Sequence, residues 1–230
     1  MRLDAASLQR KLVRGGRGGY CFEQNLLLRH ALEALGFEAS GLAARVMWDV
    51  PECVVLPRGH MLLKVRVGGE PYVADVGFGG LTPTAPLRLE SGLEQPTPHE
   101  PFRLIGHGDE FILEAKVRGA WKPLYRFDLQ EQLLCDYEVT NWYLSHHPAS
   151  HFVNELIAAR PAPGLRYALR DNVLAVHRTG GGTKRRALAT IAELRAALEE
   201  TFLLTLPDAP EVDLAIGGII ARGRQGGERS

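Results

Sequence analysis

The sequence predicts an α+β fold: helices come first, short antiparallel strands follow, and a mixed α/β segment ends the chain. Three patterns support this prediction. Apolar residues recur at helical spacing over residues 22–35, alternating β-like runs begin near Leu42, and a hairpin precedes a helix near the C-terminus. The chain has 230 residues, 45% of them hydrophobic, which suits a globular protein with a large core.

The N-terminal part is predicted to be helical over residues 5–13 and 22–35, and Gly36 is placed to end the second helix. Short strands at the density seen in the middle of the chain are typical of a barrel or a sandwich. The segment 82–101 holds five prolines and is predicted to be a surface loop. The predicted strands are Leu42–Met47, Met61–Val67, Tyr72–Val76, Phe102–Leu104, Phe111–Val117 and Trp121–Phe127.

The C-terminal part is predicted to combine helices with a glycine-rich hairpin. Thr190 and Glu193 have the spacing of a capping box at the start of the last helix. The polar, glycine-rich tail from residue 221 to residue 230 is predicted to be mobile. The predicted elements are a helix over Ser150–Ala159, a hairpin of Val173–Arg178 and Lys184–Leu188 joined through Gly180–Gly182, and a helix over Ile191–Leu203.

The charge balance and the cysteine content argue against several classes of protein. Lys plus Arg equal Asp plus Glu at 27 each, which argues against a protein that binds nucleic acid or membrane surfaces. Three cysteines, an odd number at wide spacing, do not form a disulfide framework and indicate a reducing compartment. No apolar run is long enough for a membrane span, so we expect a cytoplasmic protein.

Cys21 is the candidate nucleophile. Two glycines precede it in the segment Arg17–Asn25 (RGGYCFEQN), and an amphipathic helix pattern starts at once. Unpaired N–H groups and the positive end of the helix dipole favour a thiolate at such a position. Cys53 and Cys135 lack this context and are interpreted as packing thiols.

His60 and Asp75 are the candidate base and its orienting acid. Gly68-Gly69 separates two alternating runs, which predicts a two-residue hairpin turn pairing Val67 with Glu70. In that register Asp75 lies opposite Leu62, one diagonal step from His60 and on the same face. The carboxylate can fix the imidazole tautomer, and the imidazolium can stabilise the thiolate. A metal site at His147 and His151 is disfavoured because Pro148 intervenes and no acidic residue lies between them.

Taken together, these segments resemble the arylamine N-acetyltransferase family. His60 occupies the place of the family histidine, 39 residues after Cys21 and 15 before Asp75. The likeness extends from about residue 2 to about residue 206. The segments that carry it are Arg17–Asn25, Ala74–Gly80 (ADVGFGG), Asn141–Phe152 and the Gly180–Gly182 hairpin.

The resemblance implies a cysteine-proteinase-like architecture and a two-step reaction. Cys21 would take an acetyl group from acetyl-CoA, and an aromatic amine, hydrazine or N-hydroxyarylamine would remove it with His60 as base. Phe78 and Gly79 would line the pocket, and no metal would be required. The implied domains are a helical segment at residues 1–38, a β-barrel at 39–140 and an α/β lid at 141–230.

The resemblance also implies an N-terminally shortened chain, since family members carry several dozen residues before the start of this sequence, whereas only 20 residues precede Cys21 here. Three alternatives to arylamine acetylation stay open at this point. They are an amide synthase of the same family, a cysteine hydrolase such as a peptidase or amidase, and an inactive truncated scaffold in which Cys21 is an inert thiol.

Overall fold

The computed structural model describes residues 1–51 and 53–227, and it has the predicted α+β class. Two π-helical segments, Gln9–Arg14 and Ala197–Thr201, extend α1 and α5. The helices are α1 (Ala5–Leu8), α2 (Cys21–Ala34), α3 (Leu134–His146), α4 (His151–Asn154), α5 (Ile191–Ala196) and α6 (Pro210–Gly227). The strands are β1 (Glu38–Val46), β2 (His60–Val67), β3 (Glu70–Ala74), β4 (Leu87–Arg88), β5 (Phe102–His107), β6 (Glu110–Val117), β7 (Ala120–Asp128), β8 (Ile157–Ala162), β9 (Leu165–Arg170), β10 (Val173–Arg178) and β11 (Thr183–Ala187).

The central sheet is a nearly closed antiparallel barrel with strand order β4-β3-β2-β1-β7-β6-β5. Gln95 connects its two edge strands: its side chain makes hydrogen bonds of 2.7 and 3.0 Å to the backbone of Arg88 on β4, and its backbone pairs with Phe102 on β5. The segment 82–101 is therefore packed against the barrel edges, and its Leu87 and Thr82 are buried. Because the two edge strands are connected in this way, few of their backbone N–H and C=O groups are left exposed.

The β2–β3 hairpin has the predicted register. Val67 pairs with Glu70 and Leu63 with Ala74, so Asp75 follows directly after the strand. Gly68 and Gly69 have φ of 60° and 87°, which a type I′ turn requires at both central positions. Because side chains alternate across a strand, His60 shares the barrel-interior face with Leu62, whereas Met61 faces helix α2.

Helix α2 packs across the outer face of β2, so that its N-terminus lies at the end of the barrel where β2 begins. Phe22 and Leu26 are buried against Met61 and Leu63, and Tyr137 of α3 completes the contact. This packing carries Cys21, the first residue of α2, towards His60, the first residue of β2.

The C-terminal part forms a four-stranded sheet in the order β11-β10-β9-β8, covered by α5 and α6. The predicted hairpin is β10–β11, with Val173 opposite Ala187, and the predicted capping box is present, since the N–H of Glu193 donates to the Thr190 hydroxyl at 3.2 Å. Among residues 1–51 and 53–227, no helix is both long and apolar enough to cross a lipid bilayer.

Two predictions for this part were wrong. The helix expected over Ser150–Ala159 is only α4, four residues long, and the chain enters β8 at Ile157 because that segment pairs with β9. The helix over Ile191–Leu203 was expected to be the last one, but α6 follows it, with Ile216 and Ile220 buried in the core of the C-terminal part. Residues 221–227 of the tail continue α6, and their mobility stays a prediction. Residues 228–230 of that tail lie outside the described residues.

Candidate active site

Cys21 lies at the N-terminus of α2, as its sequence context predicts. Tyr20 before it is extended, and Cys21 is the first helical residue. Its side chain is only 6% exposed, and its Sγ lies 3.7 Å from the carbonyl oxygen of Gly59, the residue before β2. The N–H groups of a first helical turn have no intrahelical acceptors, so the sulfur lies at a positively polarised helix end.

His60 and Asp75 form a direct hydrogen bond, as the hairpin register predicted. His60 Nε2 lies 2.7 Å from Asp75 Oδ2, and both side chains are buried. Burial by itself lowers the pKa of His60. The charge and hydrogen bond of Asp75, together with the hydrogen bond and charge of the Cys21 side chain, instead raise it to about 10. These interactions favour the cationic imidazole, whose Nε2 faces the carboxylate.

The Asp75 carboxylate accepts hydrogen bonds at both oxygens. Burial by itself raises its pKa, but the His60 charge and hydrogen bond, followed by the Asn25 and Gly77 hydrogen bonds, lower that pKa below its ordinary value. A buried carboxylate needs such donors, because it is otherwise strongly disfavoured in its charged form. The four donors are His60 Nε2 at 2.7 Å and Tyr125 Oη at 3.0 Å on Oδ2, and the Gly77 N–H at 2.8 Å and Asn25 Nδ2 at 3.0 Å on Oδ1.

Asn25 connects the helix to both strands of the hairpin. It lies one turn after Cys21, on the same face of α2. Its Nδ2 donates to the Met61 carbonyl at 2.7 Å and to Asp75, while its Oδ1 accepts the Val76 N–H at 3.1 Å. Asn25 thus sets the position of α2, and with it Cys21, relative to Asp75. Asn25 had no predicted role, although a polar residue on the apolar face of a helix is a usable signal.

The loop after β3 packs directly on Cys21. A Cβ at Gly77 would lie 2.6 Å from Cys21 Cα and 2.8 Å from Asn25 Nδ2, so only glycine fits there. The Thr82 hydroxyl donates to the Asp75 carbonyl at 2.9 Å and fixes the other end of the loop. Close contact with α2, rather than turn conformation, therefore explains this glycine.

Two aromatic rings surround His60 within the barrel. The Phe78 ring centroid lies 5.2 Å from that of His60 in an edge arrangement, and Tyr125 lies 4.8 Å away. Gly79, with φ of 82°, passes beneath Ala159 of β8. Phe78 therefore borders His60, and Gly79, the next residue, faces the C-terminal sheet. Tyr125 was not among the predicted site residues, because only the strand pairing brings its hydroxyl to Asp75.

The chain is similar to characterised proteins over almost its whole length. A family model described as N-acetyltransferase matches residues 1–212. The arylamine N-acetyltransferase of Mycolicibacterium smegmatis is 46% identical over 209 residues, which cover 90% of this chain and 76% of that protein. The enzyme of the same name from Mycobacterium tuberculosis strain H37Rv is 44% identical over 226 residues, covering 96% of this chain and 80% of that protein.

Solved structures have the same fold. The arylamine N-acetyltransferase from M. tuberculosis superimposes with a TM-score of 0.89 at 43% identity, covering 94% of this chain and 82% of that one. The Mycobacterium marinum arylamine N-acetyltransferase in complex with CoA gives a TM-score of 0.85 at 41% identity, covering 96% and 81%. The chain belongs to the arylamine N-acetyltransferase family.

Proposed function

We propose that this chain transfers an acetyl group from acetyl-CoA to an aromatic amine, hydrazine or N-hydroxyarylamine through an acetyl-Cys21 intermediate. The observation that carries the proposal is the buried His60–Asp75 pair, with His60 Nε2 2.7 Å from the carboxylate. Cys21 lies beside it at the start of α2, with its Sγ 3.7 Å from the carbonyl oxygen of Gly59, the residue before His60. Cys21 is the nucleophile, His60 the acid and base, and Asp75 the residue that orients the imidazole.

In the first half-reaction the Cys21 thiolate attacks the thioester carbonyl of acetyl-CoA. Asp75 occupies Nε2 of His60, which leaves Nδ1 for the sulfur and for the leaving group. The imidazolium stabilises the thiolate and then protonates the departing CoA sulfur. Backbone N–H groups at the N-terminus of α2 are suited to stabilise the negative oxygen that forms on the carbonyl.

In the second half-reaction the amine attacks the acetyl-cysteine. Neutral His60 takes the proton from the attacking nitrogen, the carbon–sulfur bond breaks, and the thiolate–imidazolium pair forms again. Phe78 and Gly79 line the side from which the amine approaches. The edge contact between Phe78 and His60 supports this assignment, because it puts an apolar ring beside the reacting atoms.

The direct test is intact-protein mass spectrometry after incubation with acetyl-CoA. We expect one acetyl group, located on Cys21 by peptide mapping, and its release as an N-acetylated product when an arylamine is added. Cys21→Ser should give no adduct under the same conditions. Cys53 and Cys135 are both exposed, so their interpretation as packing thiols was wrong. Cys135→Ser is the matched control and should leave the adduct unchanged.

Other outcomes, measured with these or with additional substrates, support the alternatives. An adduct that arylamines do not discharge, together with closure of a macrolactam substrate, supports an amide synthase of this family. Cleavage of amide or peptide bonds without any dependence on CoA supports a hydrolase. Folded protein that forms no adduct supports an inactive scaffold and contradicts the proposal.

A further inference from the structure

Arg166 is a buried cation outside the proposed catalytic residues. It lies on β9 with only 2% of its surface exposed. Its Nε donates to Glu100 Oε2 at 2.8 Å, and its Nη1 reaches the Gly80 carbonyl at 3.4 Å. Nη2 also lies 2.8 Å from Glu100 Oε2, but at an angle unsuited to a hydrogen bond. One guanidinium therefore connects the C-terminal sheet, the 82–101 segment and the loop after Asp75.

His99, next to Glu100, makes a second connection between the same regions. Its Nε2 lies 2.9 Å from the Ala162 carbonyl and 3.0 Å from the Leu165 carbonyl. Both partners are acceptors, so Nε2 carries a proton and donates to the turn between β8 and β9. We call the contacts of Arg166 and His99 with these segments the lid clasp.

The lid clasp is continuous with the proposed site. Gly80 follows Phe78 and Gly79, and the Phe78 ring is in contact with His60. A Cβ added to Gly79 would lie 3.9 Å from the Ala159 side chain on β8, so the C-terminal sheet lies directly over this loop. The Arg166 contact with the Gly80 carbonyl thus joins the cover of the site to the loop beside the imidazole.

A buried ion pair gives little net stability compared with well-packed apolar residues. Arginine differs from lysine in that its planar fork can hold two acceptors in fixed directions. At this position the two acceptors belong to two different loops, Glu100 in one and Gly80 in the other. The geometry therefore suits Arg166 to hold these two loops in a fixed position relative to β9.

We propose that Arg166 is a positioning residue that keeps the C-terminal sheet closed over acetyl-Cys21 and so determines whether an amine or water receives the acetyl group. The inference rests on the proposed function. When water attacks, its oxygen bonds to the acetyl carbon, the carbon–sulfur bond breaks, one proton passes through His60 to the sulfur, and acetic acid leaves. Amine attack follows the same course and gives the N-acetylarylamine. A closed cover favours the amine because it excludes water.

The experiment compares acetate with N-acetylarylamine formed by the full chain at one fixed arylamine concentration. In Arg166→Lys the ammonium retains a charge for Glu100 but cannot also hold the Gly80 carbonyl in the same geometry. We expect the acetate-to-product ratio to rise about tenfold, on the scale of one lost charge-assisted hydrogen bond. The rate of Cys21 acetylation should stay within about threefold of wild type, because no group that contacts the sulfur has changed.

Arg170→Lys is the matched control. Arg170 lies on the same strand and pairs with Glu155 at 2.8 Å, but it is exposed and has no contact with the 77–80 loop. The acetate-to-product ratio of Arg170→Lys should equal that of wild type. An unchanged ratio in folded Arg166→Lys would overturn the inference, as would a drop in acetylation rate with no change in the ratio.

A second variant tests the same inference if Arg166→Lys does not fold. Glu100→Gln retains an acceptor for Arg166 but removes the charge, and we expect about a threefold rise in the ratio. A wild-type ratio in that variant also overturns the inference. Failure of the wild-type chain to form acetyl-Cys21 is a different result, since it contradicts the proposed function itself.

Discussion

Two ion pairs, His60–Asp75 and Arg166–Glu100, differ in how their carboxylates are held. Asp75 has no exposed side-chain surface and accepts from four donors, whereas the Glu100 side chain is 19% exposed and is held by Arg166. The first pair lies within one hairpin, 15 residues apart, and the second joins segments 66 residues apart. Several hydrogen-bond donors around one carboxylate lower its pKa. A contact between residues far apart in the chain instead fixes the relative position of two segments.

Removal of each negative charge should therefore have a different consequence. Asp75→Asn replaces one carboxylate oxygen with an NH2 group, which cannot accept hydrogen bonds from the surrounding donors. The variant also no longer fixes the histidine tautomer. We expect Cys21 acetylation, measured as the single-turnover rate of CoA release, to fall by about 10³-fold or more. Glu100→Gln, by contrast, should change mainly the fate of the acetyl group. Near-normal acetylation by folded Asp75→Asn would contradict the role given to the carboxylate.

Gly77→Ala tests how tightly the first region is packed. The new methyl group would lie 2.6 Å from Cys21 Cα, so backbone must move. We expect the free energy of unfolding in urea to fall by about 1–3 kcal/mol, and acetylation to fall as the nucleophile shifts. Gly182→Ala is the control, since a Cβ there meets nothing within 4 Å. Equal free energies of unfolding for Gly77→Ala and Gly182→Ala would contradict the tight packing of the loop against α2.

The stability of the first pair should depend on pH in a defined direction. The pKa of His60 is raised from 6.5 to about 10, so its stabilisation is complete below pH 6.5 and disappears as pH rises towards 10. The pKa of Asp75 is lowered from 3.8, so the same interaction is lost again as pH falls below that value. The difference in unfolding free energy between wild type and His60→Gln should be largest between these limits. A difference that increases above pH 8 would contradict this.

Tyr125→Phe removes one donor of the four and should give the smallest effect. Loss of one hydrogen bond to a charged acceptor costs about 1.5–3 kcal/mol, reduced here because three donors remain. We expect acetylation to slow about three- to tenfold, measured by CoA release. Tyr167→Phe is the control, because Tyr167 packs against the core of the C-terminal part, and this variant should acetylate at the wild-type rate. An equal rate for Tyr125→Phe would show that its hydroxyl is dispensable.

The sequence predicted the parts of the site that depend on local pattern. A glycine pair between alternating runs determined the hairpin register, and the register placed Asp75 within reach of His60. Helix spacing and the preceding glycines predicted the location of Cys21 at the start of α2. Each of these inferences needed only the geometry of a single turn or of a helix start.

Interactions between distant segments could not be predicted in this way. The residues following Ser150 have helix-forming composition, but pairing with β9 draws Ile157 onward into a strand. Asn25, Tyr125 and Arg166 acquire their partners only when segments 36 to 86 residues apart meet. Periodicity shows that such residues are buried, but it does not identify their partners.

The relative reactivity of the three cysteines tests the central claim most directly. Cys21 is buried, whereas Cys53 and Cys135 are exposed, so accessibility alone predicts that Cys21 reacts last with limiting iodoacetamide. The proposed thiolate–imidazolium pair predicts the reverse at pH 7. Peptide mass spectrometry should show Cys21 alkylated at least about tenfold faster than the other two cysteines, and this advantage should be lost in His60→Gln. Labelling that follows exposure, with Cys21 slowest in the wild-type chain, would contradict the account.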